Sequence, residues 1–441
     1  MSKKFLQKDK DYIWHPFTQS KTALDPILIK KAKDDILIDS YGNKYIDLIS
    51  SWWVNIHGHG KKEINDAIYK QAKTIDQIIF ADLTHEPAIL LAEKLINILP
   101  SGLKRVFYSD NGSTSVEIAL KVSYQYWFNR GQERKKFISF KGGYHGDTLG
   151  AMSVGFSTGF YKPFKNLTFK PYFLTFPDNW KGNNMIELQE EKVLSEIDKI
   201  THRDSENIAA VIVEPMVQGA AGMKICRAEF LNNIVRKFQE KKILVIFDEV
   251  MTGFGRTGKM FASDYLTVTP DIICLAKSLT GGVLPLAATV FKEHIHEAFV
   301  DLSIDKSFLH GHSFSANSIS CSAALASLKL FEEEETLEKI KKIEQIHKFG
   351  LKELTNNKLV AKTRYLGTIS AFDIVGFDKG YGAKVGEKLK KIFLEKGYLI
   401  RPLGETFYLM PPYCIEEFKL KNVYNIINEE LKKLSFEDII D

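Results

Sequence analysis

Short apolar runs alternate with amphipathic stretches through the middle of the chain. The runs at 106–108, 137–140, 209–213, 243–247 and 272–275 are apolar almost throughout, which predicts strands buried on both faces. Helical periodicity lies between them, as at 115–128. Alternation of this kind predicts a doubly wound α/β sheet, mainly parallel and flanked by helices, with ligands gathered beyond the carboxyl ends of the strands. Residues 178–206 break the rhythm: they are polar and charged, with Lys181-Gly182-Asn183-Asn184 as a loop and a surface helix near 187–199, and they read as an insertion. Beyond about residue 320 the pattern turns helix-rich, with a long charged helical region at 328–354 ahead of strand-like pieces at 368–375 and 398–401. Two further strands are expected near 36–39 and 44–47. The expected organisation is a large domain over 61–320, a smaller α+β domain over 321–441, and a segment over 1–60 that packs with the smaller one.

Composition changes this picture little. A net charge of +5, with 60 basic and 55 acidic residues scattered along the chain, leaves no basic patch, so nucleic acid is not an expected partner. No apolar run approaches the roughly 18 residues of a membrane span, and the first ten residues lack the apolar core of a signal peptide. A cytoplasmic protein with no membrane partner is therefore expected. Cys226, Cys274, Cys321 and Cys414 show no paired spacing, so neither disulfides nor a metal site is expected.

The chemistry lies at the strand ends. After 106–108 comes Ser109-Asp110-Asn111-Gly112-Ser113-Thr114, opening a helix in which Thr114 and Glu117 have capping-box spacing. Amides near Gly112 to Thr114, a hydroxyl and the helix dipole together suit a phosphate, although Asp110 opposes an anion there. The next strand runs into Lys141-Gly142-Gly143-Tyr144-His145-Gly146-Asp147, where paired glycines allow close backbone approach and Tyr144 offers a flat face for stacking. The third delivers Glu214 ahead of Pro215-Met216-Val217-Gln218-Gly219, and the fourth delivers Asp248-Glu249 before Thr252-Gly253-Phe254-Gly255-Arg256-Thr257-Gly258. A carboxylate that ends an apolar strand is costly to bury unless a cation or donor meets it, so Asp248 predicts a cationic partner, and a protonated pyridine nitrogen is one. The fifth strand leads into Ala276-Lys277-Ser278-Leu279-Thr280-Gly281-Gly282, an odd place for a hydrated cation unless condensation with a carbonyl group consumes its charge. Asp248 and Lys277 are separated by the length of one crossover helix and a loop, so neighbouring parallel strands can aim an acid and an amine into one crevice. A nicotinamide dehydrogenase is excluded, because no G-x-G-x-x-G follows the first strands.

The segment from Asp248 to Gly282 resembles the class III aminotransferase signature of the fold type I pyridoxal-phosphate enzymes. The resemblance implies that Lys277 forms the internal aldimine with pyridoxal 5′-phosphate, that Asp248 pairs with the pyridine nitrogen, and that Tyr144 stacks on the ring. It also implies that Gly112 and Ser113 bind the phosphate and that Glu214 is the family's active-site glutamate. His310-Gly311-His312-Ser313 is similar to the segment that reaches across a homodimer interface to the partner's phosphate, with Ser313 as hydroxyl donor, where the family often has Pro-Thr in place of His312-Ser313.

Three more stretches are similar to the branch of this family that converts 8-amino-7-oxononanoate to 7,8-diaminononanoate in biotin synthesis. They are Trp14-His15-Pro16-Phe17-Thr18-Gln19, Ser50-Ser51-Trp52-Trp53 with His57-Gly58-His59, and Ile400-Arg401-Pro402-Leu403-Gly404 with Tyr408-Leu409-Met410-Pro411-Pro412-Tyr413. This likeness implies that Trp52 and Trp53 line the substrate pocket, that Arg401 grips the substrate carboxylate, and that Arg256 helps to set the amino-donor subsite. Phe17, Asp147 and Gly311 are also implied as substrate contacts. Phe17 departs from the tyrosine that several members carry, which leaves S-adenosylmethionine or lysine as the donor of a ping-pong reaction with Lys277 as anchor and general base. The Trp52-Trp53 pair favours the sulfonium, since aromatic faces attract a desolvated cation. A class III enzyme acting on ω-amino acids or diamines, or an intramolecular aminomutase, would share the same cofactor residues.

Overall fold

The computed structural model describes residues 2–155, 161–380 and 382–434; residues 1 and 435–441, assigned above to the terminal segments, lie outside it. Its centre is a seven-stranded sheet in the order Leu103–Ser109, Ala287–Lys292, Ile272–Leu275, Leu244–Asp248, Ile208–Val213, Lys136–Phe140, Tyr172–Leu174. The five predicted strands are all present. Ile208–Val213, Leu244–Asp248 and Ile272–Leu275 are buried at every position, as their unbroken apolar character requires of strands covered on both faces.

Two strands of this sheet escaped the sequence reading. Ala287–Lys292 runs antiparallel to both of its neighbours. It follows Ile272–Leu275 after a glycine turn too short to hold a crossover helix, and a short connection between paired strands leaves antiparallel pairing as the outcome. Tyr172–Leu174, only three residues long, adds in parallel at the edge beside Lys136–Phe140.

The stretch read as an insertion is a regular part of the fold. Helix Ile186–Asp204 connects the edge strand Tyr172–Leu174 to Ile208–Val213 and buries Val193, Ile197 and Ile200 in the main core. Its other faces are solvated, so the mean polarity of the segment concealed a one-sided apolar stripe. The long helical region at 328–354 is likewise two helices, Ser318–Glu333 and Thr336–Leu354, parted at Glu335, whose φ of 48° no α-helix continues through.

The C-terminal part contributes the antiparallel sheet Val360–Leu366, Ile369–Ile374, Thr406–Leu409 and its helices. Its core gathers Ile343, Leu389, Phe393, Phe407 and Ile427 together with Leu48 from the N-terminal segment. Strand Lys44–Asp47 pairs in parallel with Tyr398–Leu399, which brings Ser50–Trp53 and Arg401 toward the same region from opposite ends of the chain. The main core continues into this part through Ile369, Ala371 and Tyr408. Among the described residues no helix is long and apolar enough to cross a membrane.

Candidate active site

The carboxyl ends of the central strands open onto one cavity of about 490 Å³. Asp248 ends its strand directly opposite Cys274 on the parallel neighbour, and the chain turns two residues after Leu275 to deliver Lys277. That turn is tight: Lys277 sits at φ 40°, Gly281 closes the turn at φ 70°, and a side chain at Gly282 (φ 83°) would approach the Val54 carbonyl to 2.5 Å. Asp248, Lys277, Tyr144, Glu214, Gly112, Ser113 and Trp53 all line the cavity. Burial pulls the Lys277 amine below its usual range, and the carboxylates of Asp248 and Glu214 partly offset this. A larger share of neutral amine follows, which is the nucleophilic form. The Lys277 Nζ lies 5.0 Å from the centre of the Trp53 ring.

One end of the cavity is the start of helix Gly112–Asn129. The cap differs from the sequence reading: Asn111 is the N-cap, its side chain accepting from the Thr114 amide while the Thr114 hydroxyl accepts from the Asn111 amide. Glu117 instead accepts from the amides of Gly150 and Ala151, tying the following turn to the helix. Gly112 and Ser113 begin the helix, so their amides have no carbonyl one turn earlier to bond. The Asp147 amide donates to Ser113 Oγ at 3.1 Å. Gly146 (φ 120°) makes that approach possible, since any side chain there would collide with Ser113. The unfavourable charge of Asp110 has a neighbour the sequence reading did not foresee, His312 Nδ1 at 2.9 Å.

Another part of the wall is a buried acid set. His145 Nδ1 lies 2.7 Å from Asp248 Oδ2, with both side chains almost inaccessible, and the Val250 amide donates to Asp248 Oδ1. His145 is the functional residue the sequence reading passed over. It stands next to Tyr144 in the quoted turn, and a histidine beside a strand-end aspartate in three dimensions leaves no one-dimensional signal. Glu214 accepts from the amides of Tyr144 and Gly219, linking two strand-end loops. Burial pushes its carboxyl up to about 7, against the opposing influence of His145. The Tyr144 hydroxyl donates to Asp147 at 2.9 Å, so Asp147 orients Tyr144 and the Ser113 turn together.

The tandem tryptophans part company. Trp53 is 4% exposed, lines the cavity and donates from Nε1 to the Tyr408 hydroxyl, whereas Trp52 is 38% exposed, with Phe17 edge-on at 5.5 Å and the Arg401 guanidinium 4.7 Å over its ring. Arg256 does not reach the cavity wall. It is wholly buried, donates to the carbonyls of Pro411 and Asn55, lies over the Tyr413 ring, and its charge is near enough to Lys277 to help lower that amine's proton affinity. Gly311 and Ser313 do not line this chain's own cavity either; the Ser313 carbonyl accepts from Gln77.

The family model described as "Aminotransferase class-III" matches residues 18–431. The chain belongs to the class III aminotransferases. Among relatives of this class III chain, the adenosylmethionine-8-amino-7-oxononanoate aminotransferase of Synechococcus elongatus is 44% identical, covering 96% of this chain and 99% of the relative. The enzyme of the same name from Methanocaldococcus jannaschii is 40% identical over 98% and 99% of the two chains, and the crystal structure of that enzyme superimposes with a TM-score of 0.92 over 99% of this chain and 100% of the other. An omega transaminase from Pseudomonas jessenii, solved in complex with PMP, superimposes with a TM-score of 0.89 at 27% identity over 97% of this chain and 96% of the other.

The cofactor of class III aminotransferases is pyridoxal 5′-phosphate, and the residues present fit it. The free first-turn amides suit a phosphate, and the flat face of Tyr144 suits a ring. A buried Asp248 held by His145 suits a ring nitrogen that carries a proton, and a buried amine whose proton affinity is lowered suits an aldehyde.

Proposed function

We propose that this class III aminotransferase converts 8-amino-7-oxononanoate to 7,8-diaminononanoate, the amination step of biotin synthesis, with S-adenosylmethionine as amino donor. The observation that carries the substrate assignment is Arg401 held over the ring of Trp52, the chain neighbour of the cavity-lining Trp53, where a planar, permanently charged guanidinium suits a terminal carboxylate. Near-full-length relatives bearing that enzyme's name support it, and their names also support the donor.

Pyridoxal phosphate, when bound, supplies an aldehyde that condenses with amines and a ring that accepts electrons from the bond being broken. The chain's own residues supply the rest. Lys277, buried and with its proton affinity lowered by that burial, takes a proton from the substrate carbon and returns one, in both half-reactions. Asp248, fixed by His145 and the Val250 amide, is the carboxylate that would pair with the ring nitrogen. Tyr144 covers one face, and its hydroxyl bond to Asp147 fixes its angle. Trp53 and the closely packed Gly219, where a side chain would come within 3.2 Å of the Trp53 ring, narrow the space and exclude water around the Lys277 amine.

Arg401→Ala is expected to raise the KM for the keto acid by about 10- to 100-fold, the worth of lost charge-assisted hydrogen bonds. The KM for the donor should change far less. Equal effects on both substrates would remove Arg401 from the carboxylate role. Phe17 keeps an apolar edge against Trp52 but offers no hydroxyl to a donor amine, so the donor is decided by a half-reaction. S-adenosylmethionine added to the purified holoenzyme should bleach the absorbance of the lysine-bound cofactor, and lysine should leave it in place.

We infer that the enzyme is a homodimer in which the loop carrying Gly311 and Ser313 approaches the partner's phosphate. Support comes from Leu302, Ile304, Leu309 and Phe314, apolar and exposed around that loop. The segment 1–60 and the C-terminal part over 321–441 are proposed to form one smaller domain against a large domain over 61–320, supported by the pairing of Lys44–Asp47 with Tyr398–Leu399.

A further inference from the structure

The two tryptophans are adjacent in sequence yet face different surroundings, and the backbone that separates them is strained. Ser50, Ser51 and Trp53 have φ of 49°, 61° and 68°, and Trp52 between them is extended at φ −178°. Three non-glycine residues at positive φ within one turn are strained and persist only where the surroundings over-determine them. The over-determining group is Asp47, whose side chain is 0% exposed. Its Oδ1 accepts from the Ile49 amide at 3.1 Å, and its Oδ2 accepts from the Ser51 amide at 2.7 Å and the Ser51 hydroxyl at 3.0 Å. His59 Nε2 stands 3.3 Å from the same Oδ2 and 3.3 Å from Ser51 Oγ, braced from a backbone bridge to Asp34. The far side of the turn is pinned by Ser50 Oγ donating to the Met410 carbonyl and by Trp53 Nε1 donating to Tyr408.

We propose that Asp47 is the positioning residue that divides the tryptophan pair, holding Trp52 against Arg401 on the outer side while Trp53 faces Lys277 within. The inference rests on the reading above that Trp52 and Arg401 form the acceptor's carboxylate site. Asp47 touches neither substrate nor cofactor. It acts through the Ser51 amide, one peptide from Trp52. A carboxylate is required because the three donors converge on it from two sides; an asparagine, whichever way it is turned, presents its NH₂ to one of them.

The test is kinetic, on the holoenzyme. Asp47→Asn is expected to raise the KM for 8-amino-7-oxononanoate about tenfold, the scale on which small misplacements of a binding group act, with kcat within about threefold. The affinity of the apoenzyme for pyridoxal phosphate should stay at the wild-type value, a result that general loosening of the protein would not give. Ser51→Ala removes one of the three bonds without altering charge and should raise the same KM by about two- to threefold; it decides the question alone if Asp47→Asn does not fold. Trp52→Ala serves as the control and should raise the acceptor KM. If it does while neither Asp47→Asn nor Ser51→Ala changes that KM, the role of Asp47 is overturned and the tryptophan reading stands. If Trp52→Ala itself leaves the KM unchanged, the substrate-site reading fails and takes the Asp47 role with it.

Discussion

Lys277→Ala protein is expected to fold, to bind pyridoxal phosphate reversibly, and to have lost turnover by a factor on the order of 10⁴ or more, as loss of a general base that is also the covalent anchor demands. The amine is buried at the end of a strand that is itself fully buried, with no other lysine among the residues lining the cavity to replace it. The same variant should lack the visible absorbance of the lysine-bound cofactor while retaining the absorbance of the free aldehyde. A Lys277→Ala enzyme with wild-type activity would sink the assignment of reaction class. Exogenous small amines should restore a fraction of activity, because the cavity emptied by the side chain lies next to the reacting carbon's position and only the proton carrier is missing.

Asp248→Asn should be nearly as damaging, with a fall in kcat on the order of 10³-fold, equivalent to about 4 kcal/mol. The substitution is isosteric and keeps an acceptor for the Val250 amide, while its NH₂ group takes the place of the oxygen that faces His145. What it removes is the negative charge that keeps a pyridine nitrogen protonated and so lets the ring accept electrons. Absorbance of the bound cofactor is the second readout, since its band reports ring protonation. A variant with reduced activity but an unaltered spectrum would place Asp248 in a structural role and leave the ring nitrogen to another partner. His145, whose Nδ1 meets Asp248 Oδ2, is expected to act by positioning that carboxylate.

Much of the site was legible because it sits where parallel α/β sheets put ligands. Once 243–247 and 272–275 were read as adjacent strands, Asp248 and Lys277 had to converge, and the observed register places Asp248 opposite Cys274, three residues before Lys277. The same reasoning brought Glu214, Tyr144 and the helix start at Gly112 to one cavity. The misses have a common cause. Helix Ile186–Asp204 looked like surface because its apolar positions occupy a single stripe amid charges, and Ala287–Lys292 was hidden because its place in the sheet depends on pairing with the distant Leu103–Ser109. For Arg256, only the folded chain shows that its guanidinium bonds the backbone carbonyls of Pro411 and Asn55.

By itself the sequence determined the alternation of strand and helix, and with it the sheet and the crevice at its carboxyl edge, because burial on both faces demands unbroken apolar runs that any reader of the chain can see. It also determined which chemical groups stand at those edges. Only the tertiary structure decided how these groups are held. The His145 contact with Asp248, the His312 contact with Asp110, and the Asp47 carboxylate gathering the Ser51 and Ile49 donors all depend on where strained turns point their side chains. Directed bonds of about 3 Å form or fail on displacements that periodicity and composition do not encode. For that reason Trp52 and Trp53, neighbours in the chain, face different cations in the folded protein.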